Sequence, residues 1–438
     1  MKLLSRLKRS FIVGLLALAL TFSFGGAAGY LSYRYHLIPE SGTVKSTAVE
    51  ADPYGEFLTE IYGKIKDNYW DKLSDDQLSG LFRLGLERLT ANPQALPSKD
   101  VKGVVTLLAK AAKGLNNDQK KEMATKLAGV VINSLSPAGR NALYTKKEET
   151  NLKNLVQNIN PEKDLYKDLG VGKTAKQEDI KKVYEEKSAA LEKESSPAAM
   201  AELAKIKYAY DVLSKTENKQ KYDTTGAEPT VFGKTLKPTV FYLKLGRVSP
   251  DSFQEFQRIV EEAKDPNLSS LILDLRGNIG GSIDLLPYFL GPFIGQNQYA
   301  YDFFHQGDYT PFKTQTGYLP GLVKFKKTVV LIDGQVQSSA EVIAAVIKRY
   351  NVGVLVGEKT KGWGTVERVF DLEKQIDPSE KYSLFLVHSL TLREDNQPVE
   401  GRGVDPTISI KDADWEKQLM DYFNVKELVE AVRQLVGN

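Results

Sequence analysis

After Pro238 the spacing of apolar residues changes, and that change constrains the fold more than any other feature of the chain. Upstream, Leu58, Ile61, Ile65 and Tyr69 recur at helical spacing, as do Leu78, Phe82, Leu86 and Leu89. Downstream, short β-rich runs take over: Thr239–Leu245, Leu271–Leu275, Thr328–Ile332, Val352–Val356 and Tyr382–Leu390. Helical patterns lie between the early runs, at Pro250–Lys264 and Ala340–Tyr350. Strand–helix alternation predicts an α/β core with a partly parallel sheet. A last amphipathic helix is expected over about Asp414–Leu435.

These patterns divide the chain. Residues 1–36 read as a basic tip and an apolar anchor, 37–53 as a linker, and 54–160 as an all-α region with N-caps at Asp75 and Ser98. Residues 161–226 read as a compact helical unit, with a helix from about Gln177, a break at Ser196-Pro197 and a helix through Tyr210 to Leu213. Residues 227–237 are rich in Gly, Pro and Thr and read as a second linker. The α/β core with its last helix fills 238–438.

Composition narrows the chemistry. The chain has no cysteine, which removes disulfides, zinc–thiolate sites, thiol nucleophiles and a lipid-modified cysteine anchor. Its histidines are His36, His305 and His388, too few for a His-rich metal site. A net charge of +3 gives no reason to invoke nucleic acid, and lysines in the first half alternate with glutamates as on solvated helix faces. Lys2, Arg6, Lys8 and Arg9 precede an uncharged stretch from Phe11 to about Leu31. About 20 apolar residues span a bilayer, and the basic flank stays cytoplasmic. The expectation is a single-pass membrane protein with its bulk extracytoplasmic. A cleaved signal peptide is the competing reading, since Gly25-Gly26-Ala27-Ala28-Gly29 offers small residues.

Three segments carry candidate chemistry. In Leu273-Asp274-Leu275-Arg276-Gly277-Asn278-Ile279-Gly280-Gly281 a buried strand ends in a glycine turn whose N–H groups can hold an oxyanion. In Asp333-Gly334-Gln335-Val336-Gln337-Ser338-Ser339-Ala340-Glu341 a strand ends and a helix begins, so a serine hydroxyl can sit beside free helix amides. Ser338-x-x-Glu341 is also a capping box, which needs no catalysis. The third segment, Gly357-Glu358-Lys359-Thr360-Lys361-Gly362-Trp363-Gly364-Thr365-Val366, is a glycine-punctuated loop between two strands.

In this order and spacing the three segments resemble the core of the carboxy-terminal processing (tail-specific) serine peptidases. Gly401-Arg402-Gly403-Val404-Asp405-Pro406 resembles that family's closing motif, and Leu58–Leu89 with Leu135–Tyr144 resembles its helical region. The resemblance implies a mixed α/β sheet of the ClpP/crotonase-like kind and a serine endopeptidase acting on protein or peptide substrates without a cofactor or a metal. It implies Ser338 as nucleophile, with oxyanion donors from the backbone of Ser339 and of Gly280-Gly281. It also puts the family's general base, a lysine, at Trp363, and its orienting glutamine at Glu367. An indole only donates, so the Ser–Lys dyad is incomplete. Substitute bases are Lys361, two residues away and on the same side of an extended backbone, Glu367 itself, and Lys244 on the first core strand. The alternative function is a silent pseudo-peptidase whose cleft binds peptides or a partner.

No PDZ pattern stands between the helical region and the core. Asp164-Leu165-Tyr166-Lys167-Asp168-Leu169-Gly170-Val171 with Ile180-Lys181-Lys182-Val183-Tyr184, and Ile206–Leu213 with Lys221-Tyr222-Asp223, instead resemble the opening and close of a J domain. The His-Pro-Asp signature of that domain should fall at Glu192-Lys193-Glu194 and is missing. A membrane co-chaperone is therefore disfavoured, and the unit reads as a spacer or a protein-binding module.

Overall fold

The computed structural model describes residues 52–393 and 395–437. The expected anchor at residues 1–36 lies outside the described residues. Among these, no helix is long and apolar enough to cross a membrane.

The region 54–160 forms five helices, Pro53–Asn68, Asp75–Thr90, Val101–Ala111, Asn117–Asn133 and Lys146–Val156, but it is not all-α, because Ala142–Thr145 is a strand that pairs with the run Tyr382–Phe385. Two caps differ from expectation. Ser74 caps the second helix, because Gln77 three residues on closes a reciprocal capping box. Asp100 caps the third, and Ser98 instead hydrogen-bonds the Asp100 carboxylate at 2.6 Å.

The described residues form eleven strands: β1 Ala142–Thr145, β2 Val231–Lys237, β3 Val240–Leu245, β4 Ser270–Asp274, β5 Tyr299–His305, β6 Asp308–Lys313, β7 Lys327–Ile332, β8 Val354–Gly357, β9 Thr365–Asp371, β10 Tyr382–Thr391 and β11 Ile408–Ser409. The larger sheet has the order β11-β8-β7-β4-β3-β2, parallel throughout except for β2. Strand β2 corrects the expected linker at 227–237, because Val231 and the residues after it pair with β3 in antiparallel register. The second sheet joins β1, β10, β5 and β6, with β9 on the other side of β10. The run Tyr382–Leu390 therefore belongs to this second sheet, not to the parallel core. Its Leu384 and Leu386 share a core with Phe57, Ile61, Phe82 and Leu127, so the helical region packs on the strands that follow the glycine loop.

The two faces of the larger sheet are unlike. Leu243, Leu245, Leu273, Val330 and Ile332 pack toward the helix Ser339–Arg349. Val240, Ile272, Val329, Leu331 and Val356 pack toward Leu419, Leu428 and Val432. The expected last helix is two, Trp415–Phe423 and Lys426–Val436, broken at Asn424 with φ +51°.

In the helical unit, Gln177–Leu191 and Pro197–Leu213 form a hairpin with Tyr184 stacked on Tyr210 at 4.0 Å. Its core is Leu165, Leu169, Ile180, Ile206 and Leu213, and Glu192-Lys193-Glu194 is exposed at the hairpin turn. The unit docks on the α/β core. Tyr208 meets Phe232, and Lys221 pairs with both Asp251 and Glu255 at 2.8 Å.

Candidate active site

Strands β4 and β7 end side by side, which brings the glycine turn against the serine elbow. Asn278 is fully buried and ties three segments together. Its amide donates to Leu245 O at 2.9 Å, its Oδ1 accepts from Gly280 N at 2.8 Å, and its carbonyl accepts from Gln337 N at 3.0 Å. A Cβ on Gly280 would stand 2.7 Å from Ser338 Cβ, and Gly280 has φ +85°, so only glycine fits this approach.

Ser338 caps the helix Ser339–Arg349 with φ +56° and ψ −131°, a conformation that side-chain-bearing residues rarely adopt. Two anchors hold it there. Its N–H donates to Trp363 O and to Glu341 Oε2, each at 3.0 Å. The amides of Ser339 and Gly281 donate to no protein acceptor among the described residues, whereas the Gly280 amide, also expected as an oxyanion donor, is taken by Asn278.

Glu341 organises the loop. The residue is fully buried, and its carboxylate accepts from Thr360 Oγ1 at 2.5 Å, Gly362 N at 2.8 Å, Trp363 N at 2.7 Å and Ser338 N. Burial pushes its carboxyl up from the ordinary range, and these donors pull against that. The acidic residue of the capping box thus fastens the glycine loop to the helix N-terminus.

Trp363 stands directly beside Ser338, through the bond from Ser338 N to its carbonyl. Its indole Nε1 donates to Glu367 Oε1 at 2.9 Å, and Thr365 Oγ1 donates to the same oxygen at 2.5 Å. Residues 363, 365 and 367 share one side of the chain as it enters β9, as the two-residue period requires. Burial raises the Glu367 carboxyl, opposed by Thr365, Trp363 and Arg140.

Arg140 is the residue the sequence reading missed. Its guanidinium lies 3.3 Å from the centre of the Trp363 ring. Arg140 Nη2 also pairs with Glu400 Oε1 at 2.9 Å, while Glu400 Oε2 accepts from Gly364 N at 2.9 Å. Arg140 and Glu400 are 260 positions apart in sequence and no periodicity links them. The available signal was the paired departure at 363 and 367, an indole donor arriving together with a carboxylate acceptor.

The other substitute bases do not meet Ser338. Lys361 is exposed, and its amine makes no ion pair or hydrogen bond among the described residues. The extended alternation that would align it with residue 363 fails at Gly362, where φ is +83°. Lys244 alternates with Leu243 and Leu245, so it lies on the sheet face opposite the helix Ser339–Arg349. Among the described residues no amine, imidazole or carboxylate hydrogen-bonds the Ser338 hydroxyl, and no cluster of three or more His, Asp or Glu could hold a metal. His305 and His388 stack on each other at 4.3 Å within the second sheet.

Residues 239–410 match Peptidase family S41, and residues 164–223 match the DnaJ domain. A carboxyl-terminal-processing protease of Synechocystis is 26% identical over 134 residues, which cover 31% of this chain and 30% of that protein. The chain therefore spans under a third of that relative's length. DnaJ homolog subfamily B member 14 of Mus musculus is 39% identical over 88 residues, covering 20% of this chain and 22% of that protein. The solved photosystem II D1 C-terminal processing protease is 12% identical with a TM-score of 0.46, covering 82% of this chain and 93% of that one. The core of this chain, residues 239–410, thus matches peptidase family S41 and is similar to carboxyl-terminal-processing proteases, and a unit matching the DnaJ domain stands between the helical region and that core.

Proposed function

We propose that this chain holds extended polypeptide at the Ser338 cleft without cutting it, a peptide-binding member of a family of serine peptidases. Trp363 carries the reading. A serine hydroxyl is a weak nucleophile until a base takes its proton, and here the neighbour at the base position is an indole that donates its N–H to Glu367. What remains is suited to binding. The undonated amides of Ser339 and Gly281 can donate to a peptide carbonyl, and a sheet edge can pair with extended backbone.

Cleavage is the second reading. A strained serine elbow beside two undonated amides favours it, with a buried, raised carboxyl at Glu367 as the base. The full chain and Ser338→Ala are compared on fluorescently labelled casein. Equal background release with measurable binding supports the first reading, and Ser338-dependent cleavage ends it. Trp363→Lys with Glu367→Gln should then gain Ser338-dependent hydrolysis.

Two further elements belong to the proposal. The uncharged stretch from Phe11 to about Leu31 behind Lys2, Arg6, Lys8 and Arg9 supports an N-terminal anchor with an extracytoplasmic bulk. Protease shaving of intact cells should reach the J-like unit if that is right. Glu192-Lys193-Glu194 in place of the signature tripeptide supports a protein-binding role for the J-like unit over co-chaperone activity, so it should not stimulate a chaperone ATPase.

A further inference from the structure

We propose that Arg140 is a positioning residue that couples the helical region to the peptide cleft, holding Trp363 and the loop beside Ser338 in place. Its effect on ligand affinity rests on the peptide-binding reading above; its effect on the loop does not.

The coupling runs through contacts at both ends of a short segment. Tyr69 Oη and Trp70 Nε1, at the end of the first described helix, both donate to Ser136 O. Asn141 Nδ2 donates to Leu135 O at 3.3 Å, and Asn141 Oδ1 accepts from Val387 N in β10 at 2.8 Å. Residues 135–141 are thus pinned to the helical region on one side and to the second sheet on the other. Arg140 leaves that segment and reaches the loop twice. Its guanidinium covers the Trp363 ring, and its ion pair with Glu400 fixes the carboxylate that takes the Gly364 amide. Trp363 in turn presents the carbonyl that holds the Ser338 amide.

A planar guanidinium suits this post. It can stack flat on an indole while its edge bonds a carboxylate, which a lysine ammonium cannot do together. The side chain is 13% exposed, so both contacts form with most water excluded. The charged and titratable groups around Trp363 and Glu367 are Arg140, Glu400, Glu341 at the helix start, and Tyr144 on β1. Arg140 provides the positive charge that opposes the burial of Glu367.

The test measures amide exchange along the full chain, casein affinity by anisotropy, and the pH profile of that affinity, for wild type, Arg140→Ala and Arg140→Lys. Losing the stack and ion pair should speed exchange at residues 361–366 about tenfold and weaken casein by a similar factor. Exchange in β4 should not change. Without the cation the Glu367 carboxyl protonates at higher pH, so the acid limb of the affinity profile moves upward. Arg140→Lys should restore that limb and only part of the affinity. Unchanged exchange at 361–366, or an increase spread evenly over the chain, overturns the proposal. If wild type binds no casein, the peptide-binding reading fails while the exchange result still decides the role of Arg140.

Discussion

Replacing Glu341 tests whether the loop beside Ser338 is held by one carboxylate. In Glu341→Ala, the Gly362 and Trp363 amides each lose the acceptor they now share, at 2.8 and 2.7 Å. The Ser338 amide keeps Trp363 O, and the Thr360 hydroxyl can rotate. An unpaired buried amide costs about 1–3 kcal/mol, so two give about 4 kcal/mol. Glu341→Gln keeps one oxygen. Its NH2 is best placed toward Thr360, which can accept, leaving only the Gly362 amide facing a donor and a cost of about 2 kcal/mol. At about 2–4 °C per kcal/mol, the expected losses in Tm are roughly 4–8 °C for Gln and 8–16 °C for Ala. Differential scanning fluorimetry gives the ranking, and amide exchange should show the Gly362 and Trp363 amides unprotected first. Equal losses for the two variants, or a stable Ala variant, would refute the claim that Glu341 fastens the loop.

Three further outcomes follow from the same geometry. Gly280→Ala places a methyl 2.7 Å from Ser338 Cβ at φ +85°, and should lower stability by about 2–4 kcal/mol and abolish casein binding, read by denaturant unfolding and anisotropy. Because burial raises the Glu367 carboxyl, its contribution to stability is full below pH 4.5 and is lost as pH rises through the raised value. Glu367→Gln should therefore gain stability relative to wild type between pH 4.5 and neutrality; a constant difference across that window would contradict the assignment. His388 shows the opposite sign: burial, with Arg368 and His305 nearby, pushes it down to about 4, so stability is lost as pH falls from 6.5 to about 4. His388→Gln should flatten that limb by at most about 3 kcal/mol, nearer half of that after solvent screening, measured by urea unfolding at stepped pH.

The parallel core was legible because its strands are short apolar runs whose side chains are buried on both faces, as in Leu271–Leu275. Strands β5, β6 and β9 escaped because they mix exposed polar residues with aromatics, and β6 is almost wholly exposed. Strand β2 was read as linker because Gly233 and the flanking Pro and Thr residues mark loops, yet pairing with β3 overrode that preference. At the site, the serine elbow and glycine turn were readable from local chemistry. The choice among substitute bases was not, because it turned on the φ of Gly362 and on which sheet face Lys244 occupies.

The residues that carry resemblance and those that have departed differ in burial. Asp274, Asn278 and Glu341 of the S41 pattern are fully buried and hydrogen-bonded across segments, so replacing any one strands partners in a dry interior. The J-like unit keeps Leu165, Leu169, Ile206 and Leu213 because they are its buried apolar core, where a smaller residue would leave a cavity. The departures fall where packing exerts less hold, at the partly exposed Trp363 and at the exposed Glu192-Lys193-Glu194. Trp363 did not depart alone, since its N–H needed an acceptor, Glu367 provides one, and Arg140 balances that carboxylate while covering the ring. A lysine lost by drift would leave the rest of its pocket unmatched. On the peptide-binding reading proposed above, the set of three fills the pocket as a unit, the indole N–H bonded to Glu367 and the ring covered by Arg140.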